Sequence, residues 1–491
     1  LLLLLFFSSL FHCSWTLPVF PGAEGFGSET IGGRGGKVIV VQNTNADGPG
    51  SLHEALSTKG KRIIVFRVGG TITFKKTMEV REPYATVLGQ TAPGKGIALA
   101  VDGSEKGEVI TIHTNDVVLR HLRVRPGPSD LPSCCRDGLM IYGGSNVVLD
   151  HISVSWATDE NIGSYFSAKN ITWSNSLTSE ALYDSNHEDN PSGNPGVTEP
   201  HSMGTLWAYV GQLSIHHTMF ARNIGRNPQI AEISGIIDHR YNYIDQATNT
   251  LQLVTPSKAQ SQCTPVNVVG NLVRSTSPSR NGVLLSRYEG NKFCLYVEGN
   301  IGQDRPTPDL PEEAYVGNSL LSQDRDPAEF QKQPHPAPPI TRNPFGASPD
   351  SMNEDVRNYL LKHAGCTKPM RDDDDIRLMD DITHGRGDKR VNSPPNGIVQ
   401  LPAGTPRPDA DKDGIPDNVE SSFGLSSSTV DSHRIDPATG YAYIELWANG
   451  KEMLGDEYIA PVASAPVPST KTTTKAPSPT VTATPKATPK A

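Results

Sequence analysis

The sequence predicts an all-β protein, a parallel β-helix, and three observations carry that prediction. Short runs rich in Val and Ile recur along the chain: RIIVFRV, ATVLGQT, VITIH, DVVLRHLRV, NVVLDHISV, NITWSNSL, QLSIHHTMF, GIIDHRYNYI, PVNVVGNLV and KFCLYVEGNI. Successive runs are offset by roughly 20–30 residues, the period of a solenoid, except where an insertion at 178–211 lengthens one step. Each turn carries a strand pattern suited to parallel pairing, as in a stack of coils. Asn recurs at the bends (Asn242, Asn271, Asn300), where stacked amides would satisfy backbone groups from coil to coil. A β-sandwich is the alternative, but the dipeptides of tight hairpins are scarce.

In chain order, LLLLLFFSSLFHCSW is apolar but too short to cross a bilayer, and reads as the core of a secretory leader ending near residue 17. The mature chain is therefore expected outside the cell, soluble and free of the membrane. The glycine-rich opening FPGAEGFGSETIGGRGG lacks the Lys-Ser/Thr ending of a phosphate loop, so its glycines are assigned to tight turns. The formal charge is −9, with no basic block to neutralise phosphates, which argues against nucleic acid as a partner.

The solenoid is expected over 18–345. Its polar surface concentrates between Asn146 and Pro228, where Asp150, His151, Asp159, Glu160, Glu180, His201, His216, His217, Arg222 and Arg226 alternate with aliphatics. An irregular and partly helical segment, 346–400, follows. Its run DVRNYLLKHAG is expected to pack against the solenoid's end, and the aspartates of MRDDDDIRLMDD to form a solvated face.

Within 401–455, DADKDGIPDNVE matches the calcium-loop pattern D-x-D-x-D-G-x5-E. Asp409, Asp411 and Asp413 would offer carboxylates, Ile415 its carbonyl, Glu420 a closing bidentate pair, and Asp417 an additional ligand. Pro416 argues against helices of ordinary length on both sides, and a structural role is expected. The Thr/Pro/Lys-rich stretch 456–491 is an extended tail of low complexity. Asn170–Thr172 forms an N-glycosylation triplet inside a strand. With Cys13 in the leader, five cysteines remain. Cys263 and Cys294 lie in neighbouring repeats and are expected to pair, whereas the adjacent Cys134 and Cys135 are expected to be too crowded to bridge each other.

The opening FPGAEGFG…GGRGG, the run LDHISVSWATDENI and HSMGTLW…SIHHTMFARNIGRNPQI together resemble the pectate lyases built on a single-stranded right-handed parallel β-helix. The similarity is greatest to the secreted fungal and bacterial branch with a DxDxDGxPD loop near its C-terminus, and it runs from about Phe20 to about Asn449. It implies calcium-dependent β-elimination on polygalacturonate or pectin by a secreted monomer, leaving 4,5-unsaturated oligogalacturonides. By motif position it implies Ca2+ ligands at Asp137 (in RDGLMI), Asp159 and Glu160, and a base at Arg226 in the R-x-P motif. Asp150 is expected to point inward or to support the turn with His151.

Two departures stand out. A Lys after the position of His201 and a second Arg after the R-x-P motif are absent, and the regions read HSMG and PQIAEI. Substrate binding is accordingly assigned to His201, Arg222 and His217, of which the tandem His216–His217 would face opposite sides of a strand. The competing readings are a galacturonan hydrolase and a non-catalytic polysaccharide-binding solenoid. For the hydrolase, Asp159 and Glu160 would need a bend to act on one side.

Overall fold

The recurring runs fold into three parallel sheets that the chain visits in rotation, a first of 10 strands, a second of 8 and a third of 9. This computed structural model describes residues 17–188, 200–274, 282–288, 290–317, 326–342, 354–388, 390–398 and 400–461. Positions 1–16 of the expected leader and 462–491 of the tail lie outside them. The architecture is the parallel β-helix read from the sequence.

Register explains the core. On the first sheet Ile39, Ile64, Val87, Leu119, Leu149, Trp173, Ile215, His239, Val268 and Val297 stand opposite one another from strand to strand. The column points inward and, apart from His239, is apolar. His239 is 1% exposed, and burial pushes its imidazole down to about 3, so it sits in the core uncharged. Trp173 of the first sheet meets Phe220 of the second at 5.4 Å and Trp207 of the third at 5.6 Å, all three fully buried. One aromatic cluster therefore ties the three sheets together.

The corner from first to second sheet takes a left-handed residue in coil after coil: His121, His151, Asn175, His217, Tyr241, Gly270 and Gly299. Next to it stands the expected amide ladder. The Asn242 backbone N–H donates to Asn271 Oδ1 at 3.0 Å, and that of Asn271 to Asn300 Oδ1 at 2.9 Å. Asp150 supports the corner as expected, accepting from His151 Nδ1 and from Arg120 at 2.8 Å.

A short helix, α1 (Leu52–Ser57), places Leu52, Ala55 and Leu56 in the main core at its N-terminal end. Arg62, fully buried beside it, donates to the carbonyls of Ala55 and Leu56. The glycine-rich opening lies flat on the first sheet. A Cβ on Gly33 would fall 1.9 Å from the Arg62 carbonyl oxygen, so close backbone approach, beyond turn formation, requires glycine here. Phe20 covers Arg120 at 3.7 Å and joins Val19, Val118 and Val148.

The C-terminal additions correct two expectations. Helix α2 (Glu354–His363) packs on the flank of the second sheet, against Leu177, Met219, Tyr243 and Leu272, and not on the solenoid's end. Helix α3 (Asp373–Thr383) begins at the aspartate run, which is no solvated face: Asp372, Asp374 and Asp375 are buried. Arg123 meets Asp372 at 3.0 Å, Arg125 meets Asp375 at 2.8 Å, and Ser153 Oγ donates to Asp375 at 2.6 Å. Burial favours a neutral Arg125, but Asp375 and Asp372 outweigh it and hold the guanidinium above its ordinary value. Residues 401–461 pack on the first sheet, where Ile415, Val419, Ile444 and Trp447 meet Ile63, Val65 and Leu88.

The cysteines divide. Cys263 pairs with Cys294 as expected, Cys134 pairs with its neighbour Cys135 against expectation, and Cys366 is free and buried. At the glycosylation triplet, the Asn170 amide donates to Asn146 and the Thr172 hydroxyl, buried, accepts from Gly27.

The clamp on helix α3 is testable. Removing one partner of a buried ion pair leaves the other charge uncompensated, at a cost of about 3–5 kcal/mol. Asp375→Ala should destabilise by that order in denaturant unfolding, whereas Asp373→Ala, at an exposed side chain, should change little. Equal effects would show that the buried pairs do not hold the helix down.

Candidate active site

Loops of differing length lead into the third sheet from the second, and neighbouring coils place their polar residues at the same point. Glu108 stands just before the strand Ile110–Ile112, Asp137 before Leu139–Tyr142, and Asp159 before Glu160–Tyr165. His201 precedes Met203–Ala208 and Arg226 precedes Gln229–Ala231, and these five strands are consecutive neighbours. The row therefore runs along the solenoid, acidic at one end and cationic at the other.

Asp137, Asp159 and Glu160 each bring a carboxylate oxygen within 4.8 Å of the others. The bend that opens the strand turns Asp159 and Glu160 to one side, contrary to strict alternation. The Glu160 backbone N–H donates to Asp137 Oδ1 at 2.8 Å, which fixes the two loops against each other. Gly138 makes room for this, since a Cβ there would lie 2.3 Å from the Asn161 carbonyl oxygen. Burial, then the charges of Asp159 and Glu108, push the Asp137 carboxyl well above its usual range, with Arg226 opposing. Burial acts the same way on Asp159, but hydrogen bonds from His187 and His201 outweigh it and hold that group below its usual value.

Arg226 lies against Glu160 in a direct ion pair. Its backbone is left-handed (φ 57°), an unusual conformation for a non-glycine residue and one that functional sites retain at an energetic cost. Burial lowers its pKa, opposed by the charges of Asp159 and Asp137. Behind it Asn227 Nδ2 donates to the carbonyls of Asn223, Gly225 and Asn249, and Asn223 accepts from the Ala181 N–H and the Asn161 amide. A buried amide network thus joins the residue after Glu160 to the residue after Arg226.

His201 Nε2 stands 2.9 Å from Asp159 Oδ1, and its ring stacks on His187 at 3.7 Å. The sequence reading missed His187 and Glu108. His187 falls in the non-repeating insertion, and Glu108 precedes a strand without a motif of its own. Two expected substrate groups do not join the row. Arg222 is 1% exposed, donates to the Arg386 carbonyl and faces Asp381 at 3.5 Å beneath the C-terminal segment. His217 is equally buried, with Nε2 on the Arg342 carbonyl at 2.8 Å and its ring against Tyr359. Because the strand ends at His216, His217 occupies the left-handed corner. The tandem histidines therefore touch, Nδ1 to Nδ1 at 2.9 Å, and do not face apart.

A second carboxylate group forms in the C-terminal unit, where Asp409, Asp411 and Asp413 converge within 4.8 Å. Asp409 pairs with Arg67 at 3.0 Å, and Asp413 Oδ2 accepts from the backbone of Asp431 and Ser432. Asp417 Oδ1 takes the Ala410 N–H, and a short helix, α4 (Asp417–Phe423), follows the loop without a helix before it. Both Glu420 carboxylate oxygens are buried without a hydrogen-bond partner. Burial, then Asp411, Asp413, Asp417 and Asp409, push Glu420 up to about 7. Clustered oxygen donors with orphaned buried atoms suit a hard divalent cation.

A carboxyl whose folded-state pKa is raised stabilises the fold below its unfolded value and withdraws that contribution as pH rises through the folded one. In chelator, the melting temperature should therefore fall as pH climbs from about 4.5 to about 7. Calcium should abolish most of the fall, and Glu420→Gln should flatten it without metal. A melting temperature independent of pH in chelator would contradict this account of the loop.

No protein-family profile matches the chain. It is 32% identical over 450 residues to a probable pectate lyase C of Aspergillus flavus, covering 90% of this chain and 96% of that one. To a probable pectate lyase C of Aspergillus fumigatus it is 33% identical over 445 residues, covering 88% and 93%. Among solved structures it is similar to a pectate lyase bound to hexasaccharide, at 13% identity and TM-score 0.45 over 72% of this chain and 98% of that one. It is also similar to pectate lyase II of Xanthomonas campestris, at 12% identity and TM-score 0.41 over 72% and 100%.

Proposed function

This chain belongs to the pectate lyase family, and on that premise we propose that it cleaves (1→4)-α-D-galacturonan by calcium-dependent β-elimination outside the cell. The observation that carries the reading is Arg226, half-buried and left-handed, set against the cluster of Asp137, Asp159 and Glu160.

The cluster fits a calcium ion by its donor set: three carboxylates with oxygens within 4.8 Å, one of them pushed well above its usual range. Asp137, Asp159 and Glu160 would hold the ion, and when bound it supplies positive charge that offsets the uronate carboxylate and makes the C5 proton easier to remove. His201 and His187 orient Asp159 through its carboxylate. Arg226 in its neutral form takes the C5 proton; the electron pair forms the C4–C5 double bond and the C4–oxygen bond breaks. Arginine is ordinarily protonated. Here burial works against the proton, while the charges of Asp159 and Asp137 work for it. Whatever neutralises those two carboxylates lets burial prevail.

In the C-terminal loop, Asp409, Asp411, Asp413 and Glu420 would hold a second, structural calcium, with Asp417 bracing the loop backbone. Export agrees with the apolar leader pattern, and no helix among the described residues is long and apolar enough to cross a membrane.

Arg226→Lys keeps a positive charge but loses the planar fork and its reach. On polygalacturonate at saturating calcium, kcat should fall by about a hundredfold or more, the size of a general-base contribution, with KM moving much less. A near-normal kcat with a raised KM would make Arg226 a carboxylate-binding group instead. Asp159→Asn should raise the calcium concentration needed for half-maximal rate without lowering thermal stability. Full activity in chelator would refute the metal assignment.

A further inference from the structure

Across the face of the third sheet from the carboxylate row stands a column of aromatic rings that the mechanism leaves unused. Tyr142 and Tyr165 are in register on neighbouring strands, their rings 6.5 Å apart. Phe166 lies 5.5 Å from Tyr142 and 6.2 Å from Tyr165, and Tyr209 continues the column 6.2 Å from Tyr165. Phe166 is 70% exposed and Tyr209 49%, in a chain whose other large aromatics are mostly buried. Both hold left-handed backbone (φ 61° and 52°) where their strands leave the sheet. Bulky residues seldom take that conformation, and here it lifts the rings out of the sheet.

Tyr165 ends the six-residue strand that Glu160 begins, so its Cα lies about 16 Å along the strand from that of Glu160, while the Tyr142 hydroxyl reaches back to Glu108 of the row. The in-register residues between are Met140, Gly163 and Leu206, none of them charged. The exposed rings therefore form an aromatic surface bordered by uncharged residues, with His113 beside Tyr142 at 5.3 Å. Such a surface stacks well on the C–H faces of a pyranose and disfavours a free carboxylate.

We propose that Tyr142, Tyr165, Phe166 and Tyr209 form a stacking platform that binds uncharged, methyl-esterified residues of the galacturonan chain beside the elimination site. The inference rests on the galacturonan reading and deepens it. A free uronate is taken at the carboxylate row, while esterified neighbours lie against the rings. The substrate class is thus partly esterified pectin, not fully charged polygalacturonate.

The test compares kcat/KM on highly esterified pectin and on de-esterified polygalacturonate for Tyr165→Ala, Phe166→Ala and Tyr209→Ala. Each should lose about tenfold on pectin, the size of one aromatic stacking contact, and less than about twofold on polygalacturonate. Tyr165→Phe, which keeps the ring, should retain the activity on pectin and so separates stacking from misfolding. Equal losses on both substrates, or none on either, would overturn the platform. Calorimetry with esterified oligogalacturonates in chelator reads binding without turnover. Ring-dependent binding by a protein that never eliminates would sink the lyase reading and keep the platform. A dimer in sedimentation that Phe166→Ala dissociates would overturn it in favour of self-association.

Discussion

Every feature of this molecule depends on coils that stack in register. Parallel strands repeat their side-chain direction only if each coil spends the same number of residues at the same corner. From His121 onward the one- or two-residue step from first to second sheet enforces that count, at the expense of a left-handed residue in each of those coils. Glycine takes it without strain at Gly270 and Gly299, and Asn175 more easily than most side chains. His121, His151, His217 and Tyr241 take it under strain, which the buried ladder and the Asp150 hydrogen bonds offset. With the count fixed, one inward column becomes a continuous core, and one residue before each third-sheet strand becomes a row.

That row sets like charges together, and its electrostatics follow from burial. Three carboxylates within 4.8 Å are unfavourable in a poorly hydrated site, which is why Asp137 is driven toward its protonated form. Two kinds of neighbour relieve the crowding. Arg226 does so through its ion pair with Glu160, and the histidine pair by hydrogen bonding to Asp159. A divalent cation on the same oxygens would compete with both. The site therefore couples occupancy of the carboxylates to the proton affinity of the arginine beside them.

Much of this was legible in the sequence, for definable reasons. The period of the Val/Ile runs announces a solenoid because one strand per coil is a local property, and the Asn ladder follows from its repeat. Asp137, Asp159, Glu160, His201 and Arg226 sit in local motifs, and the fold brings those motifs into one row. Pairings across long separations were not legible. Nothing in RHLRVR indicates that Arg123 and Arg125 will meet Asp372 and Asp375 some 250 residues later, so the aspartate run reads as solvated. His217 misleads because alternation assumes a strand that in fact stops at His216. His187 lies in the insertion, where no period locates it.

The additions to the solenoid determine which face is left to work. The N-terminal segment and the C-terminal unit (residues 401–461) cover the first sheet through Phe20, Ile415 and Trp447, and helices α2 and α3 cover the second through an apolar cluster and the Arg–Asp clamp. Arg222 and His217 look like groove residues in the sequence, but they lie under these covers and serve as their anchors. The third sheet retains exposed rings on one flank and the carboxylate row on the other. The clamp occupies the arginines of the second sheet and leaves Arg226 as the ion-pair partner of the carboxylate cluster, so that on the proposed platform sugar would be held by apolar contact and not by charge.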